Sequence, residues 1–197
     1  AFFAGGKLKK VNISGTAPQA LCDAPQGGGG TWNRDSVILF APRQNGPLFR
    51  VSASGGIPVQ LTELDASRQE TAHRHPYFLP DGQHFLYTVV SAKPEISGIY
   101  VGSLDSKERK RILASLLKAA FVPPDHVLFV PSNVAMTVAA SNAGVPDTLM
   151  AQQFDAKRLE VVGDPFPIAE VRVNFGNSAA GFAVSDGGVL AYRANAV

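Results

Sequence analysis

Glu70-Thr71-Ala72-His73-Arg74-His75 is the densest run of ionisable and polar side chains in the sequence. A carboxylate close to two imidazoles can ligate a metal, hold a ligand or move a proton. In an extended strand alternate side chains share a face, so His73 and His75 are expected to point the same way. A metal or ligand site at the mouth of a cavity wants such convergence plus a further group, here Glu70. The plainer alternative is that these side chains only hydrogen-bond the loop leading into the next element. Glu70, His73, Arg74 and His75 are therefore the candidate ligand-binding residues, with no metal, no cofactor and no named catalytic residue.

Other motifs are weaker. A Ser–His–Asp hydrolase wants a sharp G-x-S-x-G turn between strand and helix. The nearest stretch is Gly176-Asn177-Ser178-Ala179-Ala180, with the last glycine displaced and no helical pattern after it. His73 and Asp81 could complete such a triad, but a loop serine is the better reading. Gly27 to Gly30 lacks the Lys-Ser/Thr and the helix of a phosphate cradle and reads as a flexible connector. The basic runs Lys7 to Lys10 and Lys107 to Arg111 could meet phosphate groups or anionic lipid; as a solvated rim they need no ligand. His84 and His126 sit beside turn aspartates and read as turn or edge residues. Phe2, Phe3, Phe40, Phe49, Phe85 and Phe129 are expected to pack in the core.

Positioning these groups is the task of a strand-rich chain. It has 197 residues, 45% hydrophobic and 17% charged, with 19 Gly and 14 Pro: one globular domain with many turns. A net charge of +2 is too small to argue for nucleic acid. The single cysteine, Cys22, excludes an internal disulfide and a paired-thiolate zinc site. No apolar run reaches the roughly 20 residues of a membrane-spanning helix. The opening AFFAGGKLKK has no basic leader before its apolar residues and is read as no signal peptide.

His75 to Ser106 reads as a meander: an apolar run to Leu79, a Pro80-Asp81-Gly82 turn, a strand at His84 to Val90, and a third at Ile99 to Leu104. The unit recurs at roughly 45-residue intervals. Trp32-Asn33-Arg34-Asp35 precedes VILF, Phe78-Leu79-Pro80-Asp81 precedes HFLY, Phe121 to Asp125 precedes VLFV, and Phe182 to Asp186 precedes VLAY. Residues 131–147 read as an insertion within one unit. Third strands recur at 7–15, 47–56, 98–106 and 148–156, and weaker fourth strands follow each. Ser106 to Ala120 carries helical spacing, but the repeat register makes 109–114 a rim strand, and register is expected to prevail over propensity. Four strands per unit at this period predict an all-β fold: a β-propeller of four-stranded antiparallel blades, with three complete blades, partial terminal ones and the aromatic first strand toward the channel. The first unit lacks its first strand and the last keeps only two. Ring closure through the termini, or self-association, is expected to cover the open edges.

His73-Arg74-x-Pro76, FLPDG (78–82), HFLY (84–87), GIYVGSLDS (98–106), LMAQQFD (149–155), GDPFPIAE (163–170) and GVLAYR (188–193) together resemble the WD40-like PD40 repeats of TolB-type propellers. They are most similar to propeller regions that follow bacterial Ser/Thr protein kinase domains. The resemblance covers nearly the whole chain except 131–147. Asp125 departs from it, being followed by His126 rather than Gly, and no kinase motif is present. It implies a periplasmic or extracytoplasmic propeller used for protein interaction or sensing, and it carries no catalytic residues. The expected function is a non-catalytic binding module that presents its channel mouth and loops to a protein or small ligand, without nucleic acid. The alternative is a hydrolase on the same scaffold, using His73 or His75 with carboxylates.

Overall fold

The computed structural model describes residues 1–131, 145–174, 179–185 and 187–194. Among them lie eighteen strands, one 3-10 turn at Ala66–Arg68, and no α-helix. Blade one is β1 (Phe2–Ala4), β2 (Lys7–Lys10) and β3 (Gln19–Asp23). Blade two is β4 (Gly30–Trp32), β5 (Val37–Phe40), β6 (Phe49–Ser52) and β7 (Val59–Gln60). Blade three is β8 (Glu70–Phe78), β9 (His84–Ser91), β10 (Gly98–Ser103) and β11 (Lys110–Leu113). Blade four is β12 (Ala120–Val122), β13 (His126–Phe129), β14 (Val145–Asp155) and β15 (Glu160–Asn174), extended by β16 (Ala179–Ala180). Blade five is the pair β17 (Phe182–Val184) and β18 (Leu190–Tyr192). Strands within each sheet pair antiparallel, in sequence order, and one parallel bridge, Gly46 to Ala72, links blade two to blade three. β11 occupies the rim position that the repeat requires, so tertiary pairing overrides the helical spacing of 106–120.

The reason for side-by-side blades is visible in the alternation of single strands. On β5, Ile38 and Phe40 join Leu8, Leu21 and Val51 between blades one and two. Their neighbours Leu39 and Ala41 join Phe85, Tyr87 and Tyr100 between blades two and three. On β9 and β10, Leu86, Ile99 and Val101 turn the other way, onto Phe121, Val127 and Phe129 of blade four. Leu128, Leu149, Val171 and Ala180 of blade four then meet Phe182 of blade five. The sheets of blades two to four are apolar on both faces and remove them from water only between two neighbours, at roughly 25 cal/mol per Å² buried. The inner strands β4, β8, β12 and β17 lie next to one another across the blades.

The turns show why their residue types recur. Asp81 Oδ1 accepts from the backbone N–H of Gln83 and His84, both at 2.9 Å, while Gly82 takes φ +71°. In blade two that role falls to Asn33, two residues before the aspartate on which the repeat aligns. Its Oδ1 accepts from the N–H of Asp35 (3.0 Å) and Val37 (2.9 Å). Asp186 lies outside the described residues, as do 132–144, which hold most of the insertion. Its last residues, from Val145, extend β14 and pair with β15.

Two expectations are corrected, and a third is not detected among the described residues. The glycine run is not a flexible connector. Gly28 N–H donates to the Ala41 carbonyl (2.9 Å), Ala41 N–H to that of Gly29 (3.0 Å), and His75 N–H to that of Gly28 (2.9 Å), so the run is a seam between blades two and three. A Cβ on Gly29 would lie 2.9 Å from the His75 Cα, with φ at +98°. Gly29→Ala is expected to lose about 2 kcal/mol of stability, read by urea unfolding; an unchanged midpoint would contradict the close approach. Phe2 is not core: it is 37% exposed. The sheets of blades one and five are separate, and no strand pairing among the described residues joins them, so the expected ring closure through the termini is not seen.

Candidate functional site

β8 carries all four candidate residues, and it does not present them together. Its pairing with β9 runs His73↔Val89 and Arg74↔Thr88, then resumes at Tyr77↔Leu86 with one residue gained on β8. The bulge falls at His75, which takes φ +50°. The strand alternation that would align His73 with His75 is broken there. His73 faces a cleft between blades two and three, whereas His75 lines the central channel. Arg74 reaches back to blade two, where Nε donates to the Gln44 carbonyl and Nη2 to Asn45 Oδ1.

Glu70 and His73 do meet. His73 is fully buried, and its Nε2 lies 3.3 Å from Glu70 Oε2. Arg109, just before β11, forks onto the Glu70 carboxylate with Nη1–Oε2 at 2.9 Å and Nη2–Oε1 at 2.8 Å. Asp65 N–H donates to the same Oε2 at 2.9 Å. On the other side of the imidazole, Nδ1 is 2.8 Å from Thr62 Oγ1, which accepts from Leu48 N–H at 2.9 Å. Nε2 also lies 3.3 Å from Arg109 Nη1, so one tautomer donates from Nε2 to Glu70 while taking the Thr62 hydroxyl at Nδ1, and the other accepts from Arg109 at Nε2 while donating from Nδ1 to Thr62. The Tyr87 ring closes the pocket edge-on at 5.2 Å.

The electrostatics follow. Burial drives the His73 imidazole down to about 4, against the pull of Glu70, so it is neutral at pH 7. Burial also opposes the charge on Glu70, but the Arg109 and Asp65 hydrogen bonds outweigh it and hold the carboxyl below its usual value. Burial raises the Tyr87 phenol to about 12. The cluster is a neutral histidine bonded to a carboxylate that is already committed to an arginine and a backbone N–H. Its bonds join segment 48–65, which leaves blade two, to both sides of blade three. A cleft of about 490 Å³ adjoins it, walled by segment 61–67, by Phe85, Tyr87 and Gly102, and by 106–109.

Sequence reasoning misses Arg109, because within Lys107 to Arg111 charge density reads as a solvated rim. The run in fact divides among separate partners: Lys107 with Glu63 (2.8 Å), Lys110 with Glu160 (2.7 Å), and Arg111 with the Ser97 carbonyl (2.9 and 2.8 Å). His84 and His126 pair with their neighbouring turn aspartates, Asp81 at 2.6 Å and Asp125 at 2.9 Å. Ser178 lies outside the described residues. No group of three or more metal-ligating side chains occurs among the described residues.

A second candidate surface is the mouth of the channel at the Asp-turn end. A cavity of about 430 Å³ is lined there by Trp32 and Arg34 of blade two, Tyr77 and Pro80 of blade three, Pro123 of blade four and Val184 of blade five. Trp32 is 44% exposed. Asn33 Nδ2 donates to the Gly82 carbonyl at 2.8 Å, and the Arg34 guanidinium donates to that of Pro80, fastening the rim across two blades.

TolB from Acinetobacter baumannii superposes on 97% of the chain with a TM-score of 0.61 at 17% identity. The fold is a TolB-like β-propeller. A putative TolB from Agrobacterium tumefaciens matches 89% of this propeller (TM-score 0.61, 14% identity), and a chain of a nidogen/laminin complex matches 86% (TM-score 0.58, 13% identity). The TolB-like propeller spans 44%, 61% and 60% of those three chains, respectively. No sequence-family profile matches it, and neither does any curated protein sequence. At such identities the likeness concerns the fold, and function rests on the site.

Proposed function

We propose that this TolB-like propeller is a non-catalytic binding module whose channel mouth and inter-blade loops take a protein or small ligand. The observation that carries the reading is the mouth itself: a half-exposed indole, Trp32, beside a cavity shared by the inner strands of four blades. Aromatic side chains on a rigid rim are the usual anchors of binding surfaces. The resemblance to TolB-type propellers supports placing the protein outside the cytoplasm. Among the described residues no helix is long and apolar enough to cross a membrane.

The hydrolase alternative needs a histidine and a carboxylate free to act on a substrate. Glu70 and His73 sit beside a cleft, but the carboxylate is paired with Arg109 and Arg68 and both imidazole nitrogens have protein partners, which favours the binding reading. Trp32 is the sole tryptophan, so its emission reports on the mouth. Seven-residue peptides selected from a display library on the purified chain are expected to shift that emission and to bind Trp32→Ala at least about tenfold more weakly. Selected peptides that leave the emission unchanged and bind the variant equally well would overturn the reading.

A further inference from the structure

The channel has a second end, and its charge is one-sided. A cavity of about 330 Å³ there is lined by Gly29, His75, Lys118, Ala120 and Phe182 among others. Tyr77 and Val184 line both this cavity and the mouth cavity, so the two follow one another along the inner strands. Among the described residues, neither lining contains an aspartate or a glutamate. The cations are Arg34 at the mouth and Lys118 at the far end, with His75 beside Lys118.

Lys118, like Arg34 and Arg111, donates to a backbone carbonyl, and unlike them it lines the far cavity. Arg109 and Lys107 have their glutamates, and Lys7 has Asp23 at 2.6 Å. The Lys118 ammonium lies 4.5 Å from the centroid of the Phe182 ring and donates to the Phe182 carbonyl. No carboxylate pairs with it among the described residues. An ammonium withdrawn from water onto a ring face and one carbonyl lacks the counter-charge that such burial calls for. Burial accordingly lowers its affinity for the proton. An incoming anion would meet an electropositive end with no competing acid and walls of Gly, Ala, Pro and Phe.

We propose that Lys118 anchors a carboxylate carried by a ligand lying in the channel, and that the ligand is an acidic peptide segment. This deepens the reading of the channel as the binding surface and rests on it. The carboxylate is the shared chemistry, and a free dicarboxylic acid could also supply it. Two consecutive cavities, the far one mainly apolar and the other ending at the exposed Trp32 and Arg34, fit an extended chain better than a compact acid.

The test uses the whole chain at low salt with three probes: succinate, a pool of seven-residue peptides with a central glutamate, and the same pool with glutamine instead. Affinity is read from Trp32 emission and calorimetry. The glutamate pool is expected to bind about tenfold or more tightly than the glutamine pool, and the preference is expected to vanish in Lys118→Met. Methionine keeps the apolar stem, and thermal melting verifies that the variant is folded; Lys118→Arg, which keeps the charge, is expected to retain a preference. Equal binding of the two pools, with a Trp32 response to both, overturns the anionic anchor and leaves the channel reading standing. No Trp32 response to any probe overturns both. Succinate binding as tightly as the glutamate pool, with the same dependence on Lys118, overturns the peptide as occupant.

Discussion

Arg109→Ala is expected to remove about 3–5 kcal/mol of folding stability, the usual cost of taking one partner from a buried ion pair. Glu70 is the reason. Its side chain has no exposure, that of Arg109 has 19%, and the pair is forked. Without the Arg109 guanidinium, the carboxylate keeps the Asp65 N–H, the His73 Nε2 contact and the longer approach of Arg68 Nε at 3.5 Å, together too little to offset its desolvation. Arg109 is also 5.7 Å from the centroid of the Tyr100 ring, so a packing contact goes with it. The double variant Arg109→Met/Glu70→Gln is expected to recover a good part of the loss, because it leaves no buried charge behind. Urea unfolding curves measure both. A loss below about 1 kcal/mol in Arg109→Ala would mean that the pair behaves as a surface bridge.

The second large effect is acid lability. His73 titrates near 4 in the folded protein against 6.5 in an unfolded chain. Between these values the unfolded state holds more protons, so stability rises with pH across the window and falls as the solution is acidified. The stabilisation is complete above about pH 6.5 and is lost as the pH drops through 4. At about 1.4 kcal/mol per unit the loss is on the order of 3 kcal/mol. Glu70, held low chiefly by Arg109, adds loss of the same sign at more acid pH. Asp147, raised by burial, works in the opposite sense. His73→Gln is expected to flatten stability against pH between 6.5 and 4, measured by urea unfolding at several pH values. An unchanged slope would place the proton uptake elsewhere.

How much of this was legible in the sequence depends on the range of the forces involved. The repeat was legible because burial on both sheet faces forces alternation into every strand: Ile38 and Phe40 one way, Leu39 the other. Turn chemistry was legible at Asp81, where one side chain caps its own turn. It was displaced to Asn33 in blade two because either residue can supply the accepting oxygen. The partition of the candidate site was not legible. Glu70 and His73 are three residues apart, but the groups that fix their roles, Thr62 and Arg109, come from neighbouring segments brought in by blade packing. The bulge that parts His73 from His75 lies against Gly29 of the neighbouring blade, a contact that a local alternation pattern does not record. Lys118 was not legible because what marks it is its place in a cavity lined by residues of blades two, three and five.

The central claim is that the polar cluster fastens blade two to blade three, and the pair formed by Thr62 and His73 tests it most directly. One residue follows the last strand of blade two and the other lies in the first strand of blade three, with Oγ1 and Nδ1 at 2.8 Å. A double-mutant cycle of Thr62→Val and His73→Phe, measured by urea unfolding at pH 7, is predicted to give a coupling of about 1 kcal/mol. Losses that add within about 0.3 kcal/mol would show that the two blades are not joined there.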